Sequence, residues 1–299
     1  MSIRLTPAGT LDFDVLVDVF NKAFADYFMP VYHEAEGLRK YIYTQDIDLG
    51  SSFVAFSGKE ASGFVLTGIR KAEDGLMVRV DSMGVAPKYR RKGVATILLT
   101  ESRRQAEAMG AKRIILEVIQ ANSRAISLYT KQGYQVAREL KNFQWGQLPL
   151  PGEISLGLTL RPMGLEEAEA ASRLCYTYQL PWQIDRLTMK KLGKPYECFR
   201  AETGGQSVGF AVLVPREDSA HLFQMGVIPA ARRKGVAVAM LGELQRAFAH
   251  LSRWSALYVP AEERAAVGLA EKLGCQEFFP QYEMQLFLPG YGRRPLEPH

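Results

Sequence analysis

Hydrophobic residues recur at helical spacing between Leu11 and Phe24, and they alternate or run together in the segments that follow. A spacing of three and four residues places side chains on one face of a helix, whereas alternation is typical of a strand with one buried face. In chain order, the first half is predicted to form a strand over 2–5, helices over 11–24 and 34–43, strands over 52–56, 63–69 and 77–85, a helix over 93–109, a strand over 113–119, a helix over 123–131 and a strand pair over 134–145. This order predicts an α/β fold in which a mixed, mostly antiparallel sheet is flanked by helices.

One segment of the sequence occurs twice. Residues 83–95, Met-Gly-Val-Ala-Pro-Lys-Tyr-Arg-Arg-Lys-Gly-Val-Ala, return as residues 225–237, Met-Gly-Val-Ile-Pro-Ala-Ala-Arg-Arg-Lys-Gly-Val-Ala, at an offset of 142 residues. This offset is far longer than a solenoid repeat and indicates two copies of one globular domain. Proline and glycine cluster over 146–157, where they interrupt helices and strands. The sequence therefore predicts two tandem domains, residues 1–150 and residues 151–299.

Composition narrows the class of protein. Of the 299 residues, 47% are hydrophobic and 23% are charged, and the formal net charge is +5. So small a net charge, without a basic stripe, argues against nucleic-acid binding. No apolar run approaches the roughly 20 residues of a membrane-spanning helix, and the N-terminus lacks a secretory signal, so a cytoplasmic location without membrane association is expected. The three cysteines and four histidines lack metal-ligand spacing, so no metal is expected.

The repeated segment has the chemistry of an anion-binding site. In its first copy a strand ends at Val85, and a helix is expected to begin around 91–93. The first turn of a helix exposes unpaired N–H groups with partial positive charge, and these bind phosphate. Gly93 and Ala95 leave the main chain accessible because their side chains are small. Three cations adjoin them: Arg90, Arg91 and Lys92.

The motif Arg90-x-x-Gly93-x-Ala95, placed after the end of a strand, resembles the phosphate-binding signature of the GNAT superfamily of N-acetyltransferases. The resemblance implies acetyl-CoA, or another acyl-CoA, as the co-substrate, with the loop around its diphosphate and the strand along its pantetheine arm. It also implies that a main-chain N–H near Met83 polarises the thioester carbonyl. The residues implied in donor binding are Met83, Val85, Arg90, Arg91, Lys92, Gly93, Val94, Ala95 and Asn122.

A second stretch, Asn122-x-x-Ala125-x-x-Leu128-Tyr129-x-x-x-Gly133, is similar to the catalytic helix of the same family. Asn122 suits the cap of this helix, and Gly133 suits its end. The resemblance implies direct attack of a primary amine on the thioester, with Tyr129 as the general acid for the departing sulfur.

A general base is harder to assign. Alkylammonium acceptors are mostly protonated at neutral pH, so a proton must leave before attack. Strand alternation is expected to place the side chains of Asp81, Met83 and Val85 on one face, which makes Asp81 the candidate base. Glu117 on the neighbouring strand, or water alone, are the alternatives.

The second copy of the repeat keeps the loop but not the acid. In the segment aligned with the catalytic helix, Ala270 replaces Tyr129 and Glu263 replaces Asn122. Because a methyl group cannot donate a proton, the second domain is predicted to be non-catalytic, with a structural or regulatory role. A second acyl-CoA site remains open there, at Val227, Arg232, Arg233, Lys234, Gly235, Val236 and Ala237.

The acceptor site is predicted in the segment that joins the first two helices. Asp26, Tyr27 and Tyr32 offer a carboxylate and aromatic faces to an ammonium group. A small-molecule amine or a protein amine is therefore the expected acceptor. Two other functions stay open at this point: a non-catalytic acyl-CoA sensor, and a scaffold built from duplicated domains.

Overall fold

The computed structural model of the chain describes residues 2–72, 75–149 and 157–289. The chain divides into two compact units, Met1–Ala137 together with Tyr282–His299, and Arg138–Gln281. This division differs from the sequential bounds 1–150 and 151–299, because a segment near the end of the chain belongs to the first unit. Residues 150–156, most of the predicted linker, lie outside the described residues, as does nearly all of the C-terminal tail.

In the first half of the chain, helices and strands follow one another in the order that periodicity predicts, except in the last predicted strand pair. The first of them are β1 (Ile3–Pro7), α1 (Phe13–Phe24), α2 (Ala35–Thr44), β2 (Phe53–Ser57), β3 (Glu60–Ala72), β4 (Gly75–Val85), α3 (Val94–Ala108), β5 (Arg113–Ile119), α4 (Ser123–Lys131) and β6 (Gln135–Trp145). They are followed by β7 (Leu158–Pro162), α5 (Leu165–Cys175), α6 (Arg186–Lys190), β8 (Glu197–Thr203), β9 (Gln206–Pro215), β10 (Ser219–Val227), α7 (Val236–Ala247), β11 (Arg253–Pro260), α8 (Arg264–Lys272), β12 (Gln276–Glu277) and β13 (Gln281–Phe287). The predicted α/β fold, a mixed sheet with flanking helices, is confirmed.

Two predicted elements were wrong in detail. Residues 134–145 contain the single strand β6 rather than a pair of strands. Helix α3 begins at Val94 rather than within 91–93, because Arg91 and Gly93 have positive φ angles of 63° and 82°, outside the range of a right-handed helix. These two residues form a turn that precedes the helix.

The first unit is built on a sheet with strand order β1-β2-β3-β4-β5-β13. Strands β1 to β4 are antiparallel neighbours, whereas β4 and β5 run parallel. Alternation along β3 gives the sheet two buried faces. Val65 packs in one core with Leu98 of α3, and Phe64 packs in another with Phe20 of α1 and Leu38 of α2. Helix α3 therefore covers one face of the sheet, and helices α1 and α2 cover the other.

The second unit repeats this plan. Its strand order is β6-β11-β10-β9-β8-β7, with the short β12 beside β6. Strands β10 and β11 run parallel, and the other neighbours are antiparallel. Met240 of α7 packs in one core with Ala211, while Ala168 of α5 packs in another with Phe210. In the described part of the chain, no helix combines the length and the apolar character needed to cross a membrane.

Candidate functional site

The parallel strands β4 and β5 separate part-way along their length. They pair only from Met77–Val80 with Arg113–Leu116, and the remaining residues of β4 have no ladder partner on β5. The separation begins where the register between β3 and β4 shifts, since Leu66 pairs with Ser82 while Thr67 pairs with Val80. Asp81 is the extra residue of this β-bulge, and a bulge bends its strand. The result is a wedge-shaped gap between the two strands.

Main-chain groups of β4 face this gap. The N–H of Ala86 donates to the carbonyl of Ser62 over 3.0 Å, which places Gly84 in a hydrogen-bonded pair with β3. In an antiparallel ladder the neighbouring residues then direct their N–H and C=O groups to the opposite side. Met83 and Val85 therefore present their main-chain groups to the gap. The Val85 carbonyl accepts from Nε of Arg90 over 3.0 Å, so the remaining groups available to a ligand are those of Met83 and the N–H of Val85.

The expectation that Asp81, Met83 and Val85 share one face was wrong. Met83 and Val85 pack with Val80 against the core under α3, whereas the Asp81 carboxylate contacts Tyr41 of α2 on the other face. The bulge is the cause, because one extra residue reverses the alternation of side chains beyond it.

The loop between β4 and α3 has the geometry of an anion site. Gly93 caps α3 in a left-handed conformation, and the first helical hydrogen bond of the loop runs from Ile97 N–H to the Gly93 carbonyl over 3.1 Å. The N–H groups of Val94, Ala95 and Thr96 precede that bond and have no partner in the helix. A Cβ placed on Gly93 would meet nothing within 4 Å, so no other part of the protein packs against this side of the capping residue.

The three cations of the loop are in different surroundings. Arg90 forms two 2.6 Å contacts with the carboxylate of Asp26 and a 3.1 Å hydrogen bond to the Ala23 carbonyl. The hydrogen bond from Arg90 lowers the pKa of Asp26. Arg91 and Lys92 are exposed. Arg90 thus fastens the loop to the end of α1, and the structure leaves Arg91 and Lys92 as the exposed cations beside the helix N-terminus.

Tyr129 lies on α4, the helix that follows β5, and it packs in the same core as Met83 and Val85 of β4. The helix is capped by Asn122, whose side-chain oxygen accepts from Ala125 N–H over 3.2 Å, and it ends where Gly133 takes a φ of 91°. The Tyr129 ring is buried and lies 5.9 Å from the ring of Tyr134. Burial raises the pKa of Tyr129, with a smaller contribution from Tyr27 of the segment between α1 and α2. The phenol therefore keeps its proton throughout the neutral range.

A buried polar network that sequence reasoning missed surrounds Arg79 of β4. Its guanidinium contacts Asp81 and donates from Nε to Glu117 Oε2 over 2.8 Å. The other oxygen of Asp81 accepts from the Tyr41 hydroxyl over 2.6 Å. An arginine among the apolar residues of 77–80 was the available signal, because a buried charge requires a partner nearby.

Glu117 differs from Asp81 in one respect. Its Oε1 atom is buried and has no hydrogen-bond partner among the residues that the structure describes. Burial raises the pKa of Glu117, Arg79 opposes that shift, and nearby Glu283 and Asp81 add to it. The described residues contain no group of three or more His, Cys, Asp or Glu side chains placed to hold a metal ion.

A groove of about 860 Å³ lies between the outer surface of α1 and the segment that follows it. Tyr27 and Tyr32, two of the residues that the sequence analysis assigns to the acceptor site, line it, whereas Asp26 contacts Arg90. Tyr27 connects the groove to helix α4, because its hydroxyl lies within hydrogen-bonding reach of the Asn122 side chain and Tyr27 acts electrostatically on Tyr129. The full lining is Asp14, Val17, Asp18, Asn21, Lys22, Phe24, Ala25, Tyr27, Phe28, Met29, Pro30, Val31 and Tyr32.

Val85 beside the gap, Val94 at the start of α3 and the buried Tyr129 of α4 thus share one core in the first unit. The sequence model of the Acetyltransferase (GNAT) family matches residues 17–134 and 165–275, which is most of both units. The chain belongs to the GNAT acetyltransferase family. Its sequence is 29% identical over 149 residues to an N-alpha-acetyltransferase of Sulfurisphaera tokodaii, a match that spans 47% of this chain and 84% of the relative.

Solved GNAT structures show the same fold over nearly the whole chain. A GCN5-related N-acetyltransferase from Sphaerobacter thermophilus matches with a TM-score of 0.70 at 16% identity, covering 95% of both chains. A tandem GNAT protein from the clavulanic acid biosynthesis pathway matches with a TM-score of 0.68 at 13% identity, covering 96% of this chain and 98% of the other. At these identities the likeness is one of fold, and it confirms that two GNAT domains occur in tandem.

The second GNAT unit reproduces the frame of the first site. Strands β10 and β11 pair only from Ser219–His221 with Arg253–Ser255 and then part, with a register shift between Leu222 and Gln224. Gly235 caps α7 at a φ of 82°, and Arg233 precedes it at 65°, as Gly93 and Arg91 do in the first unit. The frame of a donor site is therefore present twice, but a tyrosine on the following helix is present once.

Proposed function

We propose that the first unit is an acetyl-CoA-dependent N-acetyltransferase, in which an amine attacks the thioester directly and Tyr129 acts as general acid. The observation that carries this proposal is the gap beside β4. It presents the free main-chain groups of Met83 and Val85 between the open N-terminus of α3 and the buried phenol of Tyr129. An extended pantetheine arm carries amides that pair with such groups as a further strand does.

The loop between β4 and α3 is suited to the diphosphate end of the donor. The N–H groups of Val94, Ala95 and Thr96 and the exposed cations Arg91 and Lys92 offer hydrogen bonds and positive charge to a diphosphate. In this proposal the Met83 N–H points at the thioester carbonyl and stabilises the negative charge that develops on its oxygen. The Tyr129 hydroxyl then delivers its proton to the sulfur as the carbon–sulfur bond breaks.

Glu117 is better suited than Asp81 to take the proton of the acceptor amine. Asp81 already accepts hydrogen bonds at both of its oxygens, and its side chain is fully buried. Glu117 keeps one oxygen without a partner, and its raised pKa favours proton uptake. We therefore assign the base role to Glu117 and a structural role to Asp81, with a water molecule as the carrier where the amine is not in direct contact.

We further propose an α-amino group as the acceptor. The relative from Sulfurisphaera tokodaii is named an N-alpha-acetyltransferase. An α-amino group has a pKa of about 8, well below the value of about 10.4 for a lysine amine, so a single carboxylate suffices to deprotonate it. The groove beside Tyr27 is large enough for several residues of a peptide, and it carries the carboxylates of Asp14 and Asp18 and the ring faces of Phe28 and Tyr32.

The test is thiol release from acetyl-CoA by the full chain against a panel of amines. The panel holds peptides with free α-amines, the same peptides with blocked N-termini and internal lysine, a polyamine and an amino sugar. Turnover confined to free α-amines supports the proposal, and equal turnover of blocked peptides rejects the acceptor assignment. A thermal shift with CoA but no turnover would indicate an acyl-CoA sensor, and neither response would indicate a scaffold.

A further inference from the structure

Each unit contains an equivalent contact at the end of its first helix, and these two contacts show which residues of the units correspond. Arg90 donates to the carbonyls of Val85 and Ala23, and Arg232 donates to those of Val227 and Cys175, at 3.2 and 2.7 Å. Ala23 and Cys175 therefore occupy the same place in their units. The residues that follow them, Phe24 and Tyr176, are equivalent as well, and their rings lie 5.9 Å from Phe64 and 6.3 Å from Phe210.

The hydroxyl of Tyr176 is engaged at the donor frame of the second unit. It donates a 2.7 Å hydrogen bond to the main-chain carbonyl of Met225 in β10. Ile228 N–H donates to Val208 over 3.0 Å, which places Gly226 in a pair with β9 and directs the Met225 carbonyl into the gap between β10 and β11. Met225 is the counterpart of Met83 at the offset of 142 residues.

The first unit lacks this hydrogen bond. Phe24 has no hydroxyl, and no side chain of the described residues donates to the carbonyl of Met83. The acceptor that a pantetheine amide would use is thus free in the first unit and occupied in the second. One difference between the two frames is therefore a single oxygen atom on equivalent rings.

A second difference adds to the first. Glu263 is the N-cap residue of helix α8, the position that Asn122 holds at helix α4. A carboxylate there repels an anionic diphosphate thioester, where an amide would not. Burial raises the pKa of Glu263, and Arg232 opposes that shift.

We propose that Tyr176 closes the second GNAT unit to acyl-CoA by occupying the Met225 carbonyl, so that the chain binds one donor molecule, in the first unit. Glu263 reinforces the exclusion by its charge. The inference rests on the proposed function, because the excluded ligand is the donor assigned to the first unit. On this proposal the loop of residues 227–237 is not a second donor site, because Tyr176 already occupies the main-chain group of the neighbouring strand.

Hydrogen–deuterium exchange of the full chain with and without acetyl-CoA locates the ligand. We expect protection of residues 83–96 alone and a calorimetric stoichiometry of one. Protection of residues 225–238 as well, with a stoichiometry of two, would overturn the inference and leave the proposed function intact. Protection of neither segment would overturn the proposed donor and the inference with it.

Paired variants test the role of the hydroxyl. Glu263→Asn alone is expected to leave residues 225–238 unprotected, whereas Tyr176→Phe combined with Glu263→Asn gives the second unit the residues that the first has at these two positions and should bring protection there. Protection in the single variant, or none in the double variant, would exclude Tyr176 as the closing group.

The converse variant introduces a tyrosine hydroxyl at the equivalent position of the first unit. Phe24→Tyr should weaken acetyl-CoA binding by about tenfold, because a hydrogen bond within the protein then competes with one to the donor. Its thermal midpoint, measured without ligand, checks that the variant folds. An unchanged dissociation constant in a folded variant would contradict the proposal.

Discussion

The hydroxyl of Tyr41 donates to Oδ2 of Asp81, so a residue of helix α2 satisfies a carboxylate in the bulge of β4. Ser82 Oγ donates to the same oxygen over 2.9 Å, and Arg79 contacts the other. This carboxylate is therefore enclosed by donors on all sides. Its surroundings are those of a group that holds a strand and a helix together.

Replacing this carboxylate tests that conclusion. Asp81→Asn should lower the free energy of unfolding by about 3 kcal/mol, because it removes one partner of a buried guanidinium. Tyr41→Phe, which removes one hydrogen bond to a charged group, should cost about 2 kcal/mol. Urea unfolding measures both. A loss of turnover in Asp81→Asn without a loss of stability would return the base role to Asp81.

The pH dependence of turnover tests Glu117. A general base works only when deprotonated, so kcat/KM rises as pH passes upward through its pKa. Since burial raises that pKa above its ordinary value of 4.5, the rising limb should be displaced toward neutral pH. Glu117→Gln cannot accept the proton, so kcat should fall by about 100-fold and the limb should disappear. A variant that keeps the limb would show that another group titrates.

Removing the hydroxyl oxygen of Tyr129 tests its proposed role as general acid. Tyr129→Phe should lower kcat by about 100-fold or more while the dissociation constant of acetyl-CoA stays nearly unchanged. Tyr134→Phe is the matched control, since the Tyr134 hydroxyl is also buried, in the same core, and has no hydrogen-bond partner. Steady-state kinetics and calorimetry separate the two effects. Equal kinetic losses in both variants would indicate a packing role for Tyr129.

The loop before α3 depends on a glycine conformation. Gly93→Ala forces a side chain into the left-handed region at a φ of 82°, which should cost about 1 kcal/mol of stability and raise the KM for acetyl-CoA several-fold. Gly110→Ala is the control for strain, because Gly110 has a φ of 70°, faces open space and lies at the far end of α3. If the KM for acetyl-CoA rose equally in both variants, the loop before α3 would have no specific role in donor binding.

Much of this fold could be predicted from the sequence because its signals are local. The helical spacing in 11–24, the duplicated loop and the Asn122–Gly133 stretch each specify a nearby conformation, and the structure has α1, the turn before α3 and α4 in those places.

What the sequence did not predict depends on contacts between distant residues. The bulge at Asp81 is set by the register of β3 against β4, and nothing in the residues of β4 alone marks where the alternation reverses. The same holds for Tyr176, whose partner Met225 lies 49 residues away along the chain. The equivalence of Phe24 and Tyr176 follows from contacts in the folded chain, in which Arg90 and Arg232 bind the carbonyls of the residues just before them.

The place of β13 has a consequence for biosynthesis. Met284 and Leu286 lie in the same core as Tyr129 and Leu98, although more than half of the chain separates them in sequence. A nascent chain leaves the ribosome from its N-terminus, so the first unit stays incomplete until β13 has been added. A fragment that ends near Ala137, where the first unit gives way to the second along the chain, would therefore lack β13 and the core residues that this strand contributes.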